Sequence, residues 1–258
     1  ALGDIDDALA LLGVDDSTLP AAAAAQLDRD GYAVFPGLLD GSTTAALSRR
    51  LEELEEVEQA WTSGTRPEDP GSIRIDDVNH KGAVFDALWV HPLLLAAVHH
   101  CLGDFRLGSM TARAPRPGRG HQRLHTDWQG TFDRHGPGAE RCLACNSVFM
   151  LDDFTAETGT TRFVPGSHLL RRHPEEVLDN ARAAHPEQLL IEARRGSLAV
   201  FNGDLWHGGT KNTSAVLRRG VFTYFVGRDQ PRGRDQRALL DEATRSRLGA
   251  AARYVLDA

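Results

Sequence analysis

The 258 residues predict an α+β, mainly β protein: a sandwich or barrel of short strands with N-terminal helices packed on it. Three observations carry this. Apolar residues recur at helical spacing through most of residues 1–103. From Phe105 the pattern changes to short β-like runs separated by Gly, Pro, Asn and Asp, and residues 229–258 return to charged helical segments. The length and a hydrophobic content of 41% suffice for one large core. Residues 1–258 are therefore expected to form a single domain with a helical support (1–103), a strand-built core (104–228) and a helical tail (229–258).

In chain order, Ile5, Leu9 and Leu12 mark a short amphipathic helix, and "LPAAAAAQLDRDG" a second one that Gly31 stops. "GYAVFPGLL" is a short strand ended by Pro36. "STTAALSRRLEELEEVEQAW" is a long helix with Ser42 or Thr43 as cap and a charged outer face. The segment from Thr62 to Ser72 reads as a Gly/Pro/Ser-containing loop, and "FDALWVHPLLLAAVHHCLG" as a buried helix beginning near Pro92. The strands expected beyond it are "FRLGSMTARA", "HQRLHTDW", "CLACNSVFML", "TRFVPG", "QLLIEAR", "GSLAVFN", "LWHGGT" and "VLRRGVFTYFV".

A net charge of −7 and a pI near 5.9 argue against general attraction to nucleic acid or an anionic membrane. No stretch approaches the ~20 consecutive apolar residues of a membrane span. The first residues carry three aspartates where a secretory signal carries Lys or Arg, and the three cysteines are an odd count for a disulfide framework. The expected setting is a reducing cytoplasm. The expected partner is a small molecule, with the oligomeric state left open.

The chemistry concentrates in "HQRLHTDWQG", residues 121–130. On a strand, His125 and Asp127 project to the same face and can grip one ion. A third ligand is expected from a distant strand, and His207 in "NGDLWHGGT" is the candidate. Two neutral imidazoles and one carboxylate make the facial triad of non-haem Fe(II) oxygenases, which leaves three positions for a co-substrate and O₂. Zinc more often takes four protein ligands, or three in a hydrolytic site. Alone, His-x-Asp also fits a solvated turn. Arg218 follows His207 by eleven residues, at the start of an apolar strand expected to run back beside it. Its guanidinium suits the far carboxylate of a chelating 2-oxo acid, or is simply an edge-strand arginine. Arg219 is expected to face the other side.

Together, "LHTDW", "MLDDFTAETGTTRFVPGSH" and "WHGGTKN" followed by Arg218 resemble the phytanoyl-CoA dioxygenase family of Fe(II)/2-oxoglutarate oxygenases, over about residues 28–228. The resemblance implies a double-stranded β-helix, a jelly-roll of cupin-like type. It also implies Fe(II) held by His125, Asp127 and His207, 2-oxoglutarate held by Arg218, and O₂ as oxidant.

Other residues each have a functional and a plainer reading. Asn146 shares a face with Ala144 and Val148, so it either reaches a co-substrate carboxylate or is a buried, hydrogen-bonded amide. His121, four before His125, would lie on the same side of a continuing strand as a pocket residue. Trp128 and Trp206 flank ligands and either shield the metal or belong to the core. His168 fixes a turn. Cys142 and Cys145, three apart on a strand, should face opposite sides and not act as a pair. Arg113, Arg116, Arg119 and Arg123 crowd one loop, which is solvated or else recruits an anionic or carrier-bound substrate. Residues 62–77 are a candidate lid.

The expected activity is Fe(II)- and 2-oxoglutarate-dependent hydroxylation, or desaturation or cyclisation, at an aliphatic C–H bond of a small molecule: a specialised metabolite, amino-acid derivative or acyl compound. The rivals are a cupin-type metalloenzyme without 2-oxoglutarate and a non-catalytic ligand-binding jelly-roll domain.

Overall fold

The computed structural model describes residues 2–58, 71–128, 142–231 and 235–258. Helix α1 (Ile5–Leu11) is capped by Asp4, whose carboxylate accepts from Asp7 N–H. Helix α2 (Ala21–Asp30) ends at Gly31, whose φ of 81° is a left-handed conformation that glycine adopts without strain. Strand β1 (Tyr32–Phe35) follows. Helix α3 (Gly41–Glu58) starts before the serine and threonine expected as its cap, because Asp40 caps it: Oδ1 accepts from Thr43 N–H at 2.7 Å and from the Ser42 hydroxyl at 2.8 Å.

Strand β2 (Ser72–Asp76) replaces what the sequence reading took as the end of a loop. Residues 62–70 of that expected loop and lid lie outside the described residues. The buried helix expected to begin near Pro92 is α5 (Pro92–Leu102), where proline opens the first turn, and a separate short helix, α4 (Asp86–Trp89), precedes it. Strands β3 (Phe105–Pro115), β4 (Ala144–Met150), β5 (Thr161–Phe163), β6 (Leu189–Leu190), β7 (Leu198–Asn202), β8 (His207–Gly209) and β9 (Gly220–Gly227) come next. Three short helices close the chain: α6 (Gln236–Leu239), α7 (Glu242–Arg247) and α8 (Ala250–Val255). Residues 121–128 are not a strand; only His125 forms an isolated bridge, to His207.

All pairings are antiparallel. The large sheet runs β1-β7-β4-β9-β3-β2 and the small one β6-β5-β8, the two-sheet arrangement of a jelly-roll. Strand β4 is buried along its whole length because both faces are covered. Its outward Cys145 and Phe149 join Leu198, Val200 and Phe225 in a core with Leu94, Leu95 and Val98 of α5. Its inward Val148 and Met150 join Ala199, Phe201 and Phe163. Phe163 of the small sheet bridges the layers, 4.9 Å from the Phe201 ring and 5.1 Å from that of Tyr32. Truncating such a buried phenylalanine costs about 3–5 kcal/mol. Among the described residues no single helix is long and apolar enough to cross a membrane.

One irregularity sets the polarity of the interior. Leu107 pairs with Phe225 and Ser109 with Tyr224, so Gly108 is an extra residue, a β-bulge. Glycine is needed because a Cβ there would sit 2.9 Å from the Tyr224 ring. Before the bulge, Phe105 and Leu107 face the helices; after it Met110 and Ala112 do, which turns Ser109, Thr111 and Arg113 inward. Strand β2 is registered on this segment, Ile73 with Ala114 and Ile75 with Ala112, so Ser72 and Arg74 also face in.

Candidate metal centre and its cavity

The two imidazoles meet through the backbone. His125 N–H donates to His207 O at 2.9 Å and His207 N–H to His125 O at 3.0 Å, which stacks the rings with centroids 4.3 Å apart. This approach needs the glycines after His207: a Cβ on Gly208 would lie 2.7 Å from Arg123 O, and one on Gly209 2.6 Å from Gly120 O. Asp127 is placed by its own N–H, which donates to Gly203 O at 2.8 Å. Its carboxylate lies 3.2 Å from His207 Nε2 and 3.8 Å from His125 Nε2. The Asn146 amide, pointing inward from β4, donates to Asp127 Oδ2.

Each imidazole is oriented by its far nitrogen. His125 Nδ1 is 3.0 Å from Arg123 O and His207 Nδ1 2.8 Å from Leu205 O. A carbonyl only accepts, so both Nδ1 atoms carry the proton and both Nε2 lone pairs aim at Asp127. Burial, reinforced by the charge of His207, draws His125 down to about 4, so its ring is neutral at neutral pH. Burial alone would raise the Asp127 carboxyl, but the facing His207 and His125, with Arg113 behind them, outweigh it and hold the group well below the usual carboxylate range. Two imidazoles and one carboxylate, with ligand atoms all within 4.8 Å of one another, form the one such cluster among the described residues. The donor set and tautomers fit a divalent first-row metal with open coordination positions.

The cluster opens into a cavity of about 330 Å³ between the sheets. Gln122, Thr161 and Gly209 line it from the side of the small sheet, and Asn146, Tyr224, Phe222 and Phe201 from the large sheet. Arg218 lies in its wall, 5% exposed, its guanidinium stacked 4.0 Å over the Phe154 ring. The expectation that its strand runs beside His207 is corrected: β9, which follows Arg218, is central in the large sheet, and β8 lies in the small one. Arg219 does face the other way, held by Asp152 through Nε at 2.9 Å and by Glu52 at 2.6 Å.

Other sequence expectations separate similarly. His121 is exposed and Gln122 takes the cavity position, its Oε1 accepting from Gly209 N–H at 2.9 Å. Trp128 and Trp206 do not line the cavity. Trp206 points away from the metal cluster to pack with Leu124 and Val164, its Nε1–H donating to Arg172 O at 2.7 Å. His168 is buried in a turn, its Nε2 3.2 Å from Asp28 O. Cys142 precedes β4, so alternation does not apply to it; Cys142 and Cys145 are both buried in the core under the helices, with Cys101 packed against it, and all three are free. Of the four arginines, only Arg113 enters the cavity. Arg116 and Arg123 are exposed and paired with Glu55 and Glu175, and Arg119 is exposed beside Gly71. The sequence reading missed Arg74 and Tyr224. The strict alternation Ser-Ile-Arg-Ile-Asp was the signal for Arg74.

The same architecture recurs in solved structures. The carbocyclase SnoK from nogalamycin biosynthesis, described as α-ketoglutarate dependent, superposes with a TM-score of 0.67 at 20% identity, covering 86% of this chain and 91% of that one. HygX from Streptomyces hygroscopicus, solved with nickel and 2-oxoglutarate, gives 0.65 at 19% identity, covering 84% and 90%. In sequence, the dioxygenase cdmA of Talaromyces verruculosus is 27% identical over 235 residues, spanning 84% of this chain and 75% of that protein. The family model for phytanoyl-CoA dioxygenase (PhyH) matches residues 27–220, a stretch that contains the histidine–aspartate–histidine cluster, its glycines and Arg218. The chain belongs to the phytanoyl-CoA dioxygenase family.

Proposed function

We propose that the chain is an Fe(II)- and 2-oxoglutarate-dependent oxygenase that hydroxylates an aliphatic C–H bond of a small molecule. The observation that carries this is one cavity lined by both a three-ligand cluster and a buried arginine. His125, Asp127 and His207 hold the metal. When bound, Fe(II) with 2-oxoglutarate and O₂ supplies the oxidising power to break an unactivated C–H bond, with succinate and CO₂ as co-products.

The chain's own work is placement. Arg123 O and Leu205 O lock the imidazole tautomers, and Asn146 fixes the carboxylate so that one rotamer faces the cluster. Arg218 receives the far carboxylate of 2-oxoglutarate by a paired hydrogen bond, and Phe154 beneath it keeps the guanidinium in plane and dry. Phe201 and Phe222 make the apolar part of the wall. Desaturation and cyclisation begin from the same C–H cleavage and need no different placement of these residues. A cupin-type metalloenzyme without 2-oxoglutarate, or a domain that only binds ligand, does not require a guanidinium in the cavity wall.

The test is anaerobic titration of the Fe(II)-loaded protein with 2-oxoglutarate, followed by its visible charge-transfer band, and then succinate release on admitting O₂. A band that saturates at one equivalent supports the reading. Absence of metal-dependent 2-oxoglutarate binding overturns it.

A further inference from the structure

One cavity wall carries two hydroxyls to which the described residues give no hydrogen-bond partner. Ser109 on β3 and Tyr224 on β9 are direct cross-strand partners, and both line the cavity. Thr111, the next inward hydroxyl of β3, is already committed: it donates to Asp76 Oδ1 at 3.1 Å, the oxygen that Arg74 also holds. The Tyr224 ring is fixed from beneath, packed so closely on Gly108 that a Cβ there would lie 2.9 Å from its Cδ1. Burial, with the Asp127 carboxylate nearby, pushes the phenol above its ordinary range, so the hydroxyl is neutral and has a proton to offer.

Strand register places this pair beside the metal cluster. Across the inner face of the large sheet, Ser109, Tyr224, Asn146 and Phe201 stand in one row on β3, β9, β4 and β7. The Asn146 amide donates to Asp127 Oδ2, which ties the row to a metal ligand. Arg218 belongs to the other end of β9: its guanidinium rests 4.0 Å over the Phe154 ring, and that ring lies 3.0 Å from where Gly220 would carry a Cβ. From Gly220 to Tyr224 the strand advances about 13 Å. A co-substrate that spans from the cluster to Arg218 therefore runs away from Tyr224, and the two hydroxyls face the part of the cavity that it leaves.

We infer that Tyr224 and Ser109 form the receiving site for a neutral oxygen of the substrate, so that the substrate is a small molecule carrying a hydroxyl, carbonyl or ether group close to the carbon that reacts. This deepens the proposed function and rests on it for the reaction, but not for the oxygen site. Two hydroxyls that each donate and accept match an uncharged oxygen in either role, and neither has a charge to offset the desolvation of an anion or an ammonium group. A ligand that lacks the oxygen displaces water from both hydroxyls and leaves them unpaired, which is how such a site discriminates.

The probe is cyclohexanol bearing a gem-difluoro group opposite the hydroxyl, added to protein holding nickel and saturating 2-oxoglutarate. Binding is followed by fluorine NMR, in which the paramagnetic metal broadens only ligand bound near it. The comparisons are the same ring without oxygen, and with a carboxylate or an ammonium group in place of the hydroxyl. The wild type is expected to bind the alcohol about fivefold more tightly than the oxygen-free ring, the worth of one net hydrogen bond, with no such gain for either charged ring. Tyr224→Phe keeps the aromatic ring and should abolish the preference, and Ser109→Ala should reduce it. The affinity of Tyr224→Phe for the oxygen-free ring should hold or rise, a result that damage to the fold does not give, and 2-oxoglutarate affinity should change by less than threefold in both variants. The inference is overturned if the wild type shows no preference for the alcohol, if the preference survives in full in either variant, if a charged ring binds more tightly through Tyr224, or if Tyr224→Phe loses 2-oxoglutarate as strongly as the alcohol. If the wild type binds no 2-oxoglutarate, the proposed function fails by itself; an alcohol preference on the nickel-loaded protein that Tyr224→Phe removes still supports the oxygen site.

Discussion

Replacing Gly208 by alanine should damage the metal centre without touching a ligand. The added Cβ would start 2.7 Å from Arg123 O and 3.3 Å from Gln122 O. Restoring an ordinary contact of 3.4 Å to Arg123 O requires the two segments to part by about 0.7 Å. That carbonyl is the acceptor of His125 Nδ1 at 3.0 Å, and the neighbouring peptides carry the reciprocal His125–His207 backbone bonds at 2.9 and 3.0 Å. A shift of this size breaks or tilts the bond that holds the imidazole, and loss of such an orienting partner lowers metal affinity about 10–100-fold. Overpacking adds about 1–3 kcal/mol of destabilisation, or roughly 2–4 °C in Tm per kcal/mol at this chain length. The assay is anaerobic competition titration of Fe(II) against a chromophoric chelator, with Tm measured on the metal-free protein. Gly249→Ala is the control, because its Cβ meets nothing within 4 Å and its φ of −68° suits alanine. Wild-type metal affinity in Gly208→Ala, whatever its Tm, would refute the link from this glycine to His125.

Three further outcomes follow from the site. Arg218→Ala should weaken 2-oxoglutarate binding by about 30-fold or more, from the ~2–5 kcal/mol lost when a buried carboxylate goes unpaired, and Arg218→Lys should recover little; calorimetric titration of the metal-loaded protein decides it. Asn146→Ala should leave secondary structure intact while lowering metal affinity about tenfold, since Asp127 Oδ2 loses its amide donor; unchanged affinity removes Asn146 from the centre. Burial pushes the Asp204 carboxyl up to about 6 despite Arg171 at 2.6 Å. The folded state therefore keeps a proton that the unfolded chain loses near 4, and the group's contribution to stability is complete below that pH and lost as pH rises through 6. Urea unfolding at pH 4 and pH 7 should show wild type losing on the order of 3 kcal/mol relative to Asp204→Asn over that interval; parallel pH profiles contradict this.

Much of the site was legible because its chemistry is dense in short stretches. His125, Asp127 and His207 were singled out by ligand type and the expected meeting of distant strands, and the structure brings them together. The stated reason was only partly right: His125 and Asp127 share a direction through a two-residue bridge and a bond to Gly203 O, and no continuous strand runs there. That is also why extending strand alternation back to His121 failed, and why Trp206, next to a ligand, turns away from the metal. Arg218 and Arg219 were separated correctly by parity. Arg74 was hidden because β2 is five residues long, follows a Gly/Pro-containing stretch and pairs with β3, a partner some forty residues on, which no local pattern announces. The Cys142 reading failed at an element boundary, where one or two residues decide whether alternation applies.

The bulge at Gly108 gives the scaffold a phase setting. A strand offers two alternative sets of side chains to any compartment beside it, and one inserted residue exchanges them for everything downstream that shares its hydrogen-bond ladder. Here the exchange reaches two strands at once, because β2 inherits its register from β3. Without the extra residue, the apolar row of Met110, Ala112, Ile73 and Ile75 would look toward the substrate and the arginines toward the helices. The metal ligands and Arg218 lie on other segments and would keep their places. Gaining or losing a single glycine at the far end of a strand can therefore exchange an apolar for a cationic cavity wall while leaving the histidine–aspartate–histidine cluster in place.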